Sequence, residues 1–376
     1  MRKGAQRVSG VLARGHLEAH HGAGGRRGEH VASTAAVATP SALGCARACL
    51  AALWGRVMPP LVVLENVLQA LTAGLLMGSI YGLMCVGLGL IYGVMRVINF
   101  AQGDFLMLGM YATLYVFGWL ELSQFLGPYL GPVVAALLGA VVLYGFGVVL
   151  HRTLLARVTG MRVVGTESEG HYPQLMLTLG MSLIIANGGL IAFGSMPQNI
   201  RTPLSASAWE IGPLIGHDLS VFLNKARSVG CIVSVLVALG LHLFISRSRL
   251  GKTLRAAADN PEAATYMGIN VDTAYRVAFA LGSALTAIAG GLVATYYPFQ
   301  PYVGLEFVII MYAGVVLGGF GSIVGAFWGG LTIGLVQQLS TLVLPMQLQN
   351  AAIFVVFLGI VLVRPEGLFG RNAERI

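Results

Sequence analysis

Asn99, Gln102 and Asp104 fall within six residues at the start of an apolar stretch, with Gly103 between the last two. Polar groups in such a place cost free energy unless they face protein or a water-filled path. Asp104 is the one acid lying clearly inside an expected span, since Glu306 stands at a border. The Asn99–Asp104 segment can therefore belong to a solute pathway or its inner gate. The bland reading is a helix cap at the membrane border, satisfied by neighbouring backbone. A second group is the run GGFGSIVGAFWGG over Gly318–Gly330. Small residues allow helices to approach closely, and Gly318, Gly319 and Gly321 also permit a breaking point that hinges. A third group is Asn260-Pro261-Glu262. Asn is a good N-cap, Pro suits the first helical position, and an acid favours the positive end of the dipole. Ala263, Ala264, Tyr266 and Met267 can continue that helix, and Gly268 ends it. A short amphipathic helix between two spans results.

Catalytic constellations are missing. There is no G-x-x-x-x-G-K-[ST] phosphate loop; Gly251-Lys252-Thr253 imitates its end, but position 246 is Ser246. No H-E-x-x-H occurs, and one intramembrane acid is too few for an aspartyl protease, which needs a pair. Cys45 and Cys49, downstream of His16, His20, His21 and His30, lack the spacing and packing of a zinc site. Cys85 and Cys231 lie in apolar stretches as small hydrophobes. We expect no catalytic residue, no metal and no cofactor on this chain.

Of the 376 residues, 56% are apolar and 10% charged, with a mean hydropathy of +0.78. A soluble domain needs more surface charge, so lipid is the main solvent. The net charge of +8 is uneven: residues 1–57 hold eight Lys/Arg against two acids, the rest fifteen against thirteen. That is a tail and loop property, so no nucleic-acid face is expected. Residues 1–57 read as a disordered basic extension or as sequence upstream of a start at Met58, with the transmembrane part over 58–376. Apolar segments run over 66–95, 99–118, 131–151, 174–194, 229–246, 274–296, 306–341 and 348–363. The first is one tilted helix or two short ones, and the seventh two crossings or half-helices. The fold class is thus all-α, a polytopic transmembrane bundle of about nine or ten crossings with broken helices. Placing the Arg247–Arg255 loop inside and alternating puts twelve Lys/Arg inside and only Arg201, Lys225 and Arg227 outside. The C-terminus is then cytoplasmic. Gly103–Ala112 weakly echoes Gly304–Ala313, each glycine-led and ending Met-Tyr-Ala, as in proteins built from repeated halves.

Glu262-Ala263-Ala264-x-x-x-Gly268 resembles the E-A-A-x-x-x-G element of bacterial ATP-binding-cassette importer permeases. Asn99-Phe100-Ala101-Gln102-Gly103-Asp104, the glycine run Val316–Ala326 and the ending Arg364–Gly370 together resemble the branched-chain amino acid permease family over about residues 61–370. Gln102 stands where that family often has His, and Asp104 where it often has Glu. The resemblance implies an inner-membrane subunit that moves branched-chain or similar amino acids. It implies that Asn260–Gly268 docks two ATPase subunits, which hydrolyse the ATP. A second related permease and an extracytoplasmic substrate-binding protein are the other partners, with the lipid bilayer around them. A self-sufficient secondary transporter or channel for a small polar solute is the alternative.

Overall fold

Apolar segments cross lipid as helices because each backbone N–H and C=O must be paired within the segment. The computed structural model describes residues 60–159, 171–212, 220–345, 348–364 and 367–368. The tail, the Met58 start, and Pro365, Glu366, Phe369 and Gly370 of the C-terminal ending lie outside them. The main helices are α1 (Pro60–Met95), α2 (Gln102–Trp119), α3 (Gly127–Leu150), α4 (His171–Phe193), α5 (Lys225–Arg247), α6 (Arg249–Asp259), α7 (Pro261–Tyr266), α8 (Val271–Val293), α9 (Val303–Gly318), α10 (Ile323–Ser340) and α11 (Gln349–Val363). One antiparallel hairpin, β1 (Ala208–Ile211) with β2 (Val221–Asn224), precedes α5. Among the described residues, α1, α3, α4, α5, α8 and α10 are long and apolar enough to cross a membrane; α9 and α11 are shorter apolar helices. The helical bundle expected from composition is what forms.

The first span is a single helix. Its 36 residues measure about 54 Å at 1.5 Å per residue, against about 30 Å of hydrocarbon. The divided first span of the ten-crossing alternative is therefore not what forms. One end of the bundle gathers the close of α1, the α5–α6 bend, the start of α8 and the close of α11. There the Arg96 guanidinium donates to the Ala258 carbonyl at 3.4 Å, and the Leu368 N–H donates to the Leu317 carbonyl at 2.8 Å. The residues assigned inward by alternation meet at this end: Arg96, Arg152, Arg157, Arg247, Arg249, Lys252, Arg255, Arg276 and Arg364. The other three, Arg162, Arg371 and Arg375, lie outside the described residues.

Two helices form the centre. The apolar window of α1 is 89% buried and that of α8 is 78%, while the other spanning windows reach only 28–39%. Glycines let them pack backbone to backbone. A Cβ on Gly330 of α10 would lie 2.6 Å from the Gly82 Cα of α1, and one on Gly78 would lie 2.6 Å from the Leu331 carbonyl oxygen. Gly334 faces Gly78 in the same antiparallel seam, while Gly325 and Gly329 on another face of α10 meet Gly318 and Gly314 of α9. The glycine run is therefore a packing surface. Its interruption is a turn at the basic end joining two antiparallel helices, with Gly319 at φ 96° and Gly321 at φ 84°.

The sequence echo has a spatial counterpart. Gly103 and Gly304, its two leading residues, touch backbone to backbone, so α2 and α9 cross at equivalent positions. The partners exchange in step: α1 packs on α10 and α9 as α8 packs on α3 and α2. Gly87 and Gly282 meet where α1 and α8 run antiparallel, so α1–α3 and α8–α10 form two inverted halves. This packing gives a direct check. Gly330→Leu should cost about 3 kcal/mol or more through overpacking and empty the folded peak in heated size-exclusion runs. Gly359→Leu, at a glycine with no atom within 4 Å of an added Cβ, should leave that peak in place.

Candidate functional site

The local signals at residues 260–268 produce the helix they call for. The Asn260 side chain accepts from the Ala263 N–H at 3.0 Å, and Pro261 and Glu262 occupy the first turn of α7. At the other end Gly268 adopts φ 81°. Its N–H donates to the Thr265 carbonyl at 2.9 Å, and the Ile269 N–H donates to Ala264 at 3.0 Å, the paired pattern of a Schellman stop. Ala264 is buried, whereas Tyr266 and Met267 are 89% and 82% exposed. Pro261, Glu262, Ala263 and Gly268 are exposed as well. The outcome is a rigid knob that presents two large side chains to whatever lies outside.

α6 carries the knob, and the sequence reading missed it. Ser248 caps α6 by accepting from the Gly251 N–H at 2.9 Å. Gly251, Leu254 and Ala257 bury one stripe, while Lys252 and Arg255 stay exposed. A Cβ on Gly251 would lie 2.5 Å from the Ile245 Cα, so only glycine allows the sharp fold-back onto α5. Its charges, Arg249, Lys252, Arg255 and Asp259, make it resemble an ordinary loop by hydropathy, but the 251, 254, 257 spacing of small and apolar residues was a readable helical signal.

The polar segment before α2 is buried, not interfacial. Asn99 and Gln102 have no exposed surface, and Asp104 is 3% exposed. Asn99 Nδ2 donates to Gln102 Oε1 at 3.0 Å, and Asn99 Oδ1 accepts from the Ala101 N–H at 3.2 Å. Gln102 Nε2 in turn donates to the Gly282 carbonyl at 3.2 Å and to the Thr286 hydroxyl of α8. The Thr286 hydroxyl donates onward to Gly282 at 3.0 Å. No side chain caps the start of α2, so the border-cap reading gives way to a chain of hydrogen bonds linking α2 to α8. Asp104 faces Ser182 of α4, and Gly103 sits against Gly304. Asn99, Gln102, Gly103 and Asp104 thus come together. Gly318, Gly319 and Gly321 do not join them; they lie at the α9–α10 turn.

The family described as branched-chain amino acid transport system permease component matches residues 70–364. The chain belongs to that family. The permease is 31% identical over 309 residues to the high-affinity branched-chain amino acid transport system permease protein LivH of Escherichia coli, covering 81% of this chain and 96% of that protein. It is 30% identical over 308 residues to BraD of Pseudomonas aeruginosa, described in the same words, with the same coverage. A shorter likeness, 29% over 170 residues, covers 43% of the permease and 46% of the fructose import permease protein FrcC of Rhizobium meliloti. No solved structure matches the chain. With its apolar helices, the permease is a multi-pass membrane protein.

Thr286, Gly282 and Ser182, which complete the permease's buried polar network, were not singled out from sequence. Thr286 could have been: it is a hydroxyl in the same small-residue stretch as Ser283. Two substitutions separate the roles of this network. Gln102→Leu strips partners from Asn99 and Thr286 and should destabilise the permease by about 1–3 kcal/mol. Asp104→Asn retains a hydrogen-bonding group toward Ser182 and removes a buried charge that makes no ion pair among the described residues. It should raise the melting midpoint at pH 8, because burying an unpaired charge is costly. Thermal unfolding of both variants against wild type reads the two signs.

Proposed function

We propose that this permease is the membrane-spanning subunit of an ATP-binding-cassette importer for branched-chain amino acids in a bacterial inner membrane. The observation that carries the proposal is α7: a helix tied at both ends, buried by Ala264 alone, and offering Tyr266 and Met267 at the basic end. The preference of Lys/Arg-rich ends for the cytoplasm supports α7 and the C-terminus lying on the side where ATP is available. Asn260, Pro261, Glu262, Ala263, Ala264 and Gly268 build the knob that seats in the ATPase. Two ATPase subunits bind and hydrolyse the ATP, and the permease itself is neither a nucleotide binder nor an enzyme. A second related permease completes the conduit, and an external binding protein delivers the solute. Asn99, Gln102, Gly103 and Asp104 hold the inner part of the path, beside the centre of the bundle.

The self-sufficient transporter is less well supported. Ion-coupled carriers use ionisable groups inside the membrane, and the one ion pair among the described residues, Arg276 with Asp272 at 3.9 Å, sits in the first turns of α8. The partial likeness to a fructose import permease fits a scaffold whose solute is chosen largely by its delivery protein.

The test is association. Tyr266→Ala with Met267→Ala touches no buried contact, so the permease should melt as wild type. Its co-purification with the ATPase subunits should fall about tenfold or more, as for truncated interface anchors. Undiminished co-purification would sink the docking role. A cysteine at Met267 labelled by an impermeant maleimide from the external side would sink the orientation.

A further inference from the structure

We infer that the end of the bundle opposite the basic one carries a subsite for the zwitterionic head of an α-amino acid. It is built from Arg227 and Glu306 with Tyr81, Tyr296, Tyr297 and Gln337. The inference rests on the reading of the permease as an amino acid importer and locates where the solute first meets it.

Five elements converge there. Arg227 is in the first turn of α5, Glu306 in the first turn of α9, Tyr81 on α1 and Gln337 on α10, and Tyr296 and Tyr297 follow α8. The Arg227 guanidinium lies 5.4 Å from the Tyr296 ring centroid, over its face. It makes no ion pair among the described residues, and its Nε is buried without a hydrogen-bond partner. Glu306 accepts from the Tyr297 hydroxyl at 3.1 Å. Tyr81, 3% exposed, is joined to the Glu306–Tyr297 pair through the ring of Phe307. Phe307 joins the aromatic wall, its ring edge-on to Tyr81 at 6.2 Å and to Tyr297 at 5.6 Å.

The polar bookkeeping in this cluster is incomplete. Besides Arg227 Nε, the Tyr296 hydroxyl and the Gln337 Oε1 are buried and unpartnered. Each such group costs about 1–3 kcal/mol, and native proteins keep few of them. Other buried polar atoms without a partner, such as those of Tyr111, His151 and Ser234, are found elsewhere among the described residues; here three accompany a full cation and a full anion. Here a cation and an anion are each held by an aromatic residue, Tyr296 and Tyr297, instead of by the other. A free amino acid supplies what both lack. Its carboxylate suits a guanidinium, whose fork donates two parallel bonds, and its ammonium suits Glu306 and the neighbouring hydroxyls. An aliphatic side chain would meet the Phe307 wall.

The whole importer, with both permeases and both ATPases, is reconstituted in nanodiscs without its binding protein. Binding of radiolabelled leucine is then measured against leucinamide, which lacks the carboxylate, and 4-methylpentanoate, which lacks the ammonium. Arg227→Gln should weaken leucine and 4-methylpentanoate about tenfold or more and leave leucinamide unchanged. Glu306→Gln should weaken leucine and leucinamide to the same degree and leave 4-methylpentanoate unchanged. That size follows from the loss of one charged hydrogen-bonding pair. Arg227→Lys, which keeps the charge but loses the fork, should weaken leucine and 4-methylpentanoate less than Arg227→Gln does and leave leucinamide unchanged. Unchanged leucine binding in both Gln variants overturns the subsite, as does equal loss of all three ligands, the mark of structural damage. ATP-driven uptake by the wild type in proteoliposomes separates the parent reading. Leucine uptake with no leucine binding, or with normal binding in both variants, sinks the subsite alone. Uptake of a different solute and no leucine sinks the importer assignment.

Discussion

Helices in lipid gain nothing from hiding apolar surface against one another, since hydrocarbon tails are as apolar as leucine. What holds this bundle together is close backbone contact, and α10 shows how much of the fold hangs on it. Gly325 and Gly329 meet α9, while Gly330 and Gly334 meet α1. A step of five residues turns a helix by about 140° relative to its starting face, so one helix presents two separate glycine seams. Remove the Gly330–Gly334 seam and α1 loses its close contact with α10; remove the other and α9 loses it. The long-range polar contacts then have no frame. Gln102 reaches Thr286 only because α2 and α8 approach so closely that a Cβ on Gly109 would lie 2.5 Å from the Ala287 Cα.

That dependence explains which parts of the fold were legible in the sequence. The caps of α7 are local chemistry: Asn260 bonds a residue three positions on, and Gly268 supplies a left-handed φ that other residues resist. Both could be read within a dozen residues. The sidedness of the basic residues was also legible, because it needs only alternation and not packing. The partner of Gln102 was not, since it lies 184 residues away in a stretch whose hydropathy says only that it is apolar. Asn99 looked like a border residue for the same reason. Its segment follows the last charged residue of α1, and nothing local shows that α8 covers it. The glycine run allowed both a hinge and a seam. Deciding between them required knowing that Gly318 faces Gly325, a contact across a turn.

The two polar groups of the permease differ in kind. Around Gln102 every amide and hydroxyl hands its hydrogen bond to the next, from Asn99 to Thr286 to the Gly282 carbonyl. Such a closed chain favours one arrangement of α2 against α8 and resists substitution of any member. Around Tyr81 the groups come from more elements but close fewer bonds. A full cation and a full anion are present, and neither is neutralised by the other. The first arrangement specifies structure. The second leaves valence unfilled where the permease meets its surroundings, which is a poor way to stabilise a fold and a suitable way to receive something polar.

The division of labour also bears on how one scaffold relates to permeases for unlike solutes. A glycine seam carries no chemical information beyond permission to approach; it cannot tell an amino acid from a sugar. Partial similarity to a fructose import permease is therefore compatible with shared packing and silent about shared recognition. Recognition has to come from side chains that project away from the seams, and such chains stand just past the close of α1 and within its length. Just past its close, Arg96 holds the α6 carbonyl of Ala258, with α6 leading directly into the exposed knob of α7. Within the helix, Tyr81 packs its ring edge-on to Phe307 beside Tyr297 and Glu306. The helix is unbroken between them, so any shift of the knob end along the helix axis must reach Tyr81, because an intact α-helix has no joint to absorb it.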